Sequence, residues 1–396
     1  MQCCVRIAIV WGDDFSGDEL DLVGNRLEDE CQQLCAALAG HGHTVTALPR
    51  RPPERADSSY RTTPARVGPP APVPPAKVLP FVGDWAAELS RHWAGEPPDV
   101  VHSFGWLGGL AAQLAARRSR LTTVQSFHGL AATGCGPGAG QPSDSERARI
   151  EPLLARGATW VTGGSSEELG VLTRLRRNRA RTSVLSAGVD VDRYACTDPT
   201  WANHDTHRIV QIAPNLQPCN GFDRTIRVLP HVPDSELVIA QSSTDDARNR
   251  RERAKLKRMA SGLGVGKRVH FAGYVAPEDV PPLLWSADVV ASTPRLAPRA
   301  GSALQAMASG RAVVGTAVGA LTDTVVGNVT GLLVSPTKPH ELARALKTMQ
   351  SQRFQCQSMG SAGRSRAMSR FTWDRIAQDA LSIYDQVSHL KTVATA

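Results

Sequence analysis

PDVVHSFGWLGGLAAQLAARR, residues 98–118, holds the reading that decides the fold of this chain. PDVVHSF is a short apolar run of the kind that forms a buried strand. From Trp106 onward WLGGLAAQLAARR has the composition of a helix, so a strand passes into a helix through one glycine. The same passage recurs outward in both directions. VRIAIVW (5–11) is a first strand, and EDECQQLCAALAGHGHTVTAL (28–48) reads as an amphipathic helix, a glycine turn and a second strand. TTVQSFHGL (122–130) and TWVTGGSSEEL (159–169) repeat the strand, the latter with Ser165 or Ser166 as a helix cap. SVLSAGVDVDRY (183–194) closes this half, and RPPERADSSYRTTPARVGPPAPVPP (51–75) is proline-rich and expected to be an irregular surface loop.

The rhythm restarts in the second half. RIVQIAP (208–214), ELVIAQ (236–241), RVHFAGYV (268–275), DVVASTP (288–294) and RAVVGTAVGAL (311–321) read as strands, separated by helices such as GFDRTIRVLPHV (221–232) and the short VPPLLWSA (280–287). ELARALKTM and FTWDRIAQDALSIYDQV read as terminal helices. The pattern predicts an α/β protein of two Rossmann-like, doubly wound domains facing each other across a cleft. Their expected boundaries are 1–200, 201–370 and a closing helix at 371–396. Ligands of such sheets bind beyond the carboxyl ends of the strands.

The 396 residues suffice for two cores, and 41% hydrophobic with 21% charged residues is a globular balance. No apolar run approaches the ~18 residues of a membrane span, and VRIAIVW runs into Asp13-Asp14 too soon for a signal peptide. A cytoplasmic protein is the expectation, at most peripheral to the inner face of the membrane. The eight cysteines form no CxxC, so no metal site is expected. Much of the net charge of +8 lies in RLRRNRAR (174–181) and RNRRERAKLKR (248–258). Either is a solvated helix face or a weak contact with anionic lipid or an acidic ligand. Nucleic acid is not expected as a partner, because neither cluster is interleaved with stacking aromatics.

The order of segments resembles glycosyltransferase family 4, the retaining sugar transferases of the GT-B fold. PDVVHSFGWLGG is similar to that family's DVVHxHxWxxG, QSFHGL to TFHAL, VTGGSSEEL to ATSxxE, LSAGVDVDRY to PNGVDxxRF and DTVVGNVTGLLVSP to DxVxDGxTGLLVPP. FTWDRIAQDALSIY is similar to the closing helix that returns to the first domain. The resemblance implies a nucleotide-diphosphate sugar held mainly by the second domain and an acceptor (a sugar, lipid or small molecule) entering from the first. It implies no metal and no cofactor beyond the nucleotide sugar as co-substrate.

Against that pattern the expected site is depleted. Where the family has Arg and Lys in GRLxxxKG, this chain has PNLQPCNG, with Asn215 and Asn220. Where it has two glutamates, TPRLAPRAGSALQAMASG (293–310) has Ala297 and Gln305. Its Gly-Gly loop corresponds to Gly24, Asn25 and Arg26, followed by Glu28, Asp29 and Glu30, which would repel an anion that they faced. Gly301 and Ser302 still open a helix whose free amides suit a phosphate. His128 matches the family's cleft histidine and is the candidate catalytic residue. Arg299, with Arg295, is the candidate replacement cation for a phosphate or an acidic sugar. His102 and the glycines at 108–109 read as packing residues.

A departing diphosphate needs positive charge aimed at it. Hydrogen bonds to charged groups contribute roughly 1.5–3 kcal/mol each, so the losses sum to on the order of 5–10 kcal/mol before non-additivity. That is comparable to the whole binding energy of a micromolar to millimolar donor, about 8 to 4 kcal/mol. Two expectations stay open: a divergent working transferase, and a non-catalytic family member that binds and regulates. A nicotinamide dehydrogenase lacks support, since no GxGxxG follows the first strand.

Overall fold

The computed structural model describes residues 4–12, 26–53, 57–70, 73–133, 142–177, 180–196, 206–243, 246–297 and 299–395. Two compact units divide the chain: residues up to Ala187 together with those from Trp373 onward, and Gly188–Thr372.

In the first unit the elements are β1 (Arg6–Trp11), α1 (Arg26–Gly40), β2 (Thr44–Pro49), β3 (Arg61–Thr62), α2 (Pro75–Val78), α3 (Val82–Gly95), β4 (Val100–Phe104), α4 (Trp106–Ser119), β5 (Thr123–Ser126), α5 (Pro142–Gly157), β6 (Trp160–Gly163), α6 (Ser166–Arg176) and β7 (Thr182–Val184). They form one seven-stranded sheet in the order β3-β2-β1-β4-β5-β6-β7, and every pairing is parallel. Alternation along β1 shows why the sheet is covered on both faces. Ile7, Ile9 and Trp11 enter one core with Leu34 and Leu38 of α1, while Ala8 and Val10 enter another with Trp85 of α3 and Leu107 and Ala111 of α4.

The second unit holds β8 (His207–Ala213), α7 (Phe222–Val228), β9 (Ser235–Gln241), α8 (Ala247–Gly262), β10 (Val269–Tyr274), α9 (Val280–Trp285), β11 (Val289–Ser292), α10 (Gly301–Ala308), β12 (Ala312–Thr316), α11 (Ala320–Thr324), β13 (Gly331–Val334), α12 (Pro339–Ser351) and α13 (Arg353–Arg370). Its six strands run in the order β10-β9-β8-β11-β12-β13, again all parallel. In both sheets the direction of winding reverses beside the first strand, the place where such sheets bind ligands. A final helix, α14 (Trp373–Thr395), belongs to the first unit, where Ile376, Ala377, Ala380, Tyr384 and Val387 complete the core over α1.

Two local expectations need correction and a third is narrowed. The proline-rich stretch is not wholly irregular: Arg61 and Thr62 add an edge strand to β2, and Pro75 opens α2. Proline donates nothing to a ladder, but the pair between prolines keeps its amides. Arg50, buried beneath this segment, donates to the carbonyls of Val67 (2.9 Å) and Pro69 (2.6 Å), which fixes the turn. The C-terminal region also holds one helix more than the pattern indicated. α13 buries only Cys356, Met359, Gly360, Gly363 and Ala367, a stripe too small and too polar to read as amphipathic. Of the two serines, Ser165 is the cap of α6, its Oγ accepting from Glu168 N at 3.1 Å. Among the described residues no helix is long and apolar enough to cross a membrane.

Candidate active site

In the second unit the candidate residues come from two neighbouring loops at the carboxyl ends of β8 and β11, together with α10. Asn215 is fully buried after β8. Its Oδ1 accepts from Asn220 Nδ2 at 2.8 Å and from Gln217 N at 3.0 Å, and Asn220 Nδ2 also donates to Asn215 O at 3.0 Å. The two positions expected to hold an arginine and a lysine therefore bond to one another and close their own loop. Gly221 follows with φ of 72°, and a Cβ there would lie 1.8 Å from the carbonyl oxygen of Thr293, so only glycine fits.

The loop is sewn to its neighbour by uncharged side chains. Gln211 Nε2 donates to Asn220 O and to Thr293 Oγ1, both at 3.1 Å, and Thr225 Oγ1 donates to Gln211 Oε1 at 2.7 Å. Thr293 Oγ1 donates to Gly221 O at 2.9 Å. Gln211, Thr225 and Thr293 are buried, and their mutual bonds remove the penalty that unpaired buried polar groups would carry.

Arg295, expected to face solvent or a ligand, is engaged within the unit. It grips Asp223 with Nη1 at 3.0 Å and Nη2 at 2.9 Å and also donates to the carbonyl of Pro218. Its pKa is raised, chiefly by the hydrogen bond to Asp223. Asp223, on α7, pairs with the charge that the sequence offered as a replacement. Arg299 is half-buried in the same loop.

Ala297 is buried, and its carbonyl accepts from Ala320 N at 2.8 Å at the start of α11. Gly319 makes this approach possible, since with φ of 48° a Cβ there would stand 2.2 Å from Ala297 O. The position expected to touch sugar hydroxyls through a carboxylate is thus a backbone contact beneath the loop. Gly301 and Ser302 open α10, which carries no side-chain cap. Gln305 sits four residues after Gly301, on the same side of the helix and half-buried. These three remain where a ligand's polar groups could reach amides and a carboxamide.

In the first unit His128 follows β5 and is buried. Its Nε2 lies 3.1 Å from Oε2 of Glu30, on α1. The side chain of His128 is 1% exposed and that of Glu30 14%, so the carboxylate is the member of the pair nearer solvent. Glu30, read in the sequence as an acid that would repel an anion it faced, faces the histidine.

The loop carrying His128 is held on two sides. Glu168 on α6 accepts from Gly129 N at 2.8 Å and from Gly164 N at 2.6 Å. On α5, Glu151 accepts from Ala131 N at 2.9 Å and from Arg147 Nε at 2.6 Å, while Arg147 also donates to Gly129 O. Buried charged hydrogen bonds from two helices define one geometry for the loop. His102 is a packing residue, as read: Nδ1 meets Tyr384 Oη and Nε2 meets Ser126 Oγ, both at 2.7 Å. Burial lowers its pKa to about 3.

The sequence reading missed the pairing of Glu30 with His128, and it missed Asp223, Glu168 and the Gln211–Thr225–Thr293 cluster. Only Glu168 had a local signal: Ser165-Ser166-Glu167-Glu168 has the spacing of a capping box. Gly24 and Asn25 lie outside the described residues, and Arg26 is described only as the first backbone position of α1. Among the described residues no cluster of His, Cys, Asp and Glu could hold a metal ion.

Residues 27–188 match the model of the glycosyl transferase 4-like domain, and residues 199–366 match that of the glycosyl transferases group 1. The D-inositol 3-phosphate glycosyltransferase of Salinispora tropica is 27% identical over 308 residues, 73% of this chain but only 64% of that protein. The enzyme of that name from Jonesia denitrificans is 28% identical over 322 residues, covering 75% of this chain and 74% of its own. Among solved structures, sucrose-phosphate synthase from Thermosynechococcus elongatus superposes with a TM-score of 0.81 at 22% identity, over 97% of this chain and 99% of that one. HepE from Anabaena, in complex with UDP and glucose, gives 0.72 at 17% identity, over 96% of this chain and 100% of that one. At these identities the structural likeness is one of fold.

Proposed function

Given that the chain belongs to the family 4 glycosyltransferases of GT-B fold, we propose that it binds a nucleotide-diphosphate sugar through its second unit and transfers the hexosyl group slowly, with retention, to an acceptor held by the first. The bond between Asn215 and Asn220 carries this reading. It leaves the donor loop closed and ordered but uncharged, so the diphosphate is met by neutral groups.

The donors left to it are the first amides of α10 and the carboxamide of Gln305. A helix N-terminus contributes about 0.3–1 kcal/mol towards an anion, against roughly 1.5–3 kcal/mol for each charged hydrogen bond replaced. The deficit falls on the step in which charge builds on the leaving phosphate, and so on turnover more than on ground-state binding. In the first unit His128 and Glu30 meet the acceptor together. Glu30, the more exposed of the two, accepts from an acceptor hydroxyl, and His128 holds the carboxylate in place.

A second reading has its own support. Arg295 is bound by Asp223 and the site lacks that substitute cation, as befits a family member that binds nucleotide without transferring. Calorimetric titration with UDP, GDP, ADP and their hexose conjugates at low salt separates the two. UDP comes first, because it is the nucleotide in the similar structure of HepE. The expected result is a dissociation constant near a millimolar, about 4 kcal/mol, with slow release of hexose from the conjugate that binds. Binding without any release favours the silent reading. Absence of heat with every nucleotide, from folded protein, removes both.

A further inference from the structure

We infer that the outward face of α8 is an electrostatic docking surface for an anionic lipid bilayer. Its sequence carries Arg248, Arg250, Arg251, Arg253, Lys255, Lys257 and Arg258 against one acid, Glu252. Asn249, Leu256 and Ala260 are the buried stripe that seats the helix on its unit. At 100° per residue Arg251, Lys255 and Arg258 lie opposite that stripe and Arg250 and Lys257 on one flank, and all five are exposed. They fall within about 12 Å of helix, at 1.5 Å per residue. Local bonds hold the row in place: Asp246 caps the helix through Asn249 N at 2.6 Å, Lys255 meets Glu252 at 2.6 Å, and Lys257 stands 5.5 Å over the ring of Phe271.

In the other arginine cluster, at 174–181, one arginine is spent on the fold and the rest are split between a helix end and turns. Arg176 donates to the carbonyls of Ala155 and Ala158 at 3.0 Å and of Thr159 at 3.2 Å, and burial lowers its pKa. Arg177 and Arg181 sit at turns with φ of 56° and 61°. Only α8 offers its cations as a continuous surface among the described residues of the two clusters.

The shape and composition of that surface select the partner. It is a single convex helix rather than a groove, and no aromatic side chain lies on its exposed face, so it has nothing on which bases could stack. Nor does an exposed apolar side chain larger than alanine lie among the five cations, so an anchor for a protein interface is lacking. A plane of diffuse negative charge asks for charge alone. Each cation near such a plane strengthens partitioning about fivefold, and the effect fades as salt shortens the screening length.

The test uses the full chain and does not depend on transfer. Its sedimentation is measured with vesicles of phosphatidylcholine and of phosphatidylcholine mixed with phosphatidylglycerol, at low and high salt. We expect binding to the anionic vesicles alone, abolished by high salt. It should fall at least about a hundredfold in R250E/R251E/K255E/R258E. An unchanged melting temperature shows that this variant is folded, and R174E/R177E should bind as the parent does. Equal binding by the α8 variant, binding to neutral vesicles, or no binding at all overturns the inference. So does preference for a single-stranded oligonucleotide or a polyglutamate peptide over vesicles at the same salt.

Discussion

Asn215 shows how much one residue can settle. Its carboxamide is fully buried and doubly bonded within its own loop. A longer, charged side chain there needs room and a partner that the loop lacks. Asn215→Arg, which restores the residue type of the family, is therefore expected to lower stability by about 3 kcal/mol and leave nucleotide affinity unimproved. Thermal unfolding and calorimetry on the same sample check it. Tighter binding at an unchanged melting temperature would mean that the loop opens to release the side chain. The sequence alone marks positions 215, 220, 297 and 305 as departures from the pattern that the resemblance implies, because each stands inside an ordered string. What the replacements do instead was not. Asp223 claims Arg295 across 72 residues, and Glu30 meets His128 across 98. Such pairings are made by the fold and leave no local pattern.

At the scale of elements, α6 is a bracket for the loop that carries His128. Glu168→Ala removes the acceptor of two buried amides, those of Gly129 and Gly164. The expected loss is about 2–4 kcal/mol, with faster hydrogen exchange at Gly129, whereas Glu168→Gln keeps one acceptor and recovers part of both. Exchange at Gly129 that matches the parent would assign the ordering of the loop to Glu151 and Arg147 alone. Strands and helices with an apolar face were readable from periodicity. α13 was not, since Gly360 and Gly363 pack by being small: a Cβ at Gly360 would stand 2.2 Å from Gly310 O. Periodic hydrophobicity cannot register a contact made by the absence of a side chain.

For the whole molecule, buried histidines set the response to acid. His102 titrates at about 3 in the folded chain because burial disfavours the imidazolium, and burial also lowers the pKa values of His207 and His43. The unfolded chain takes up these protons near the ordinary value of about 6.5. Stability is thus full above pH 6.5 and falls as pH drops below it, by about 1.4 kcal/mol per pH unit for His102 until about pH 3. Urea unfolding between pH 7 and pH 4 measures this, and a midpoint that does not move would show that His102 is reached by water.

Tyr384, the partner of His102, lies on α14, beyond all of the second unit. On a ribosome the first unit therefore waits, its core open over α1, until α14 has emerged behind the second unit. The second unit is complete by Thr372, so the half that begins first is the half that finishes last.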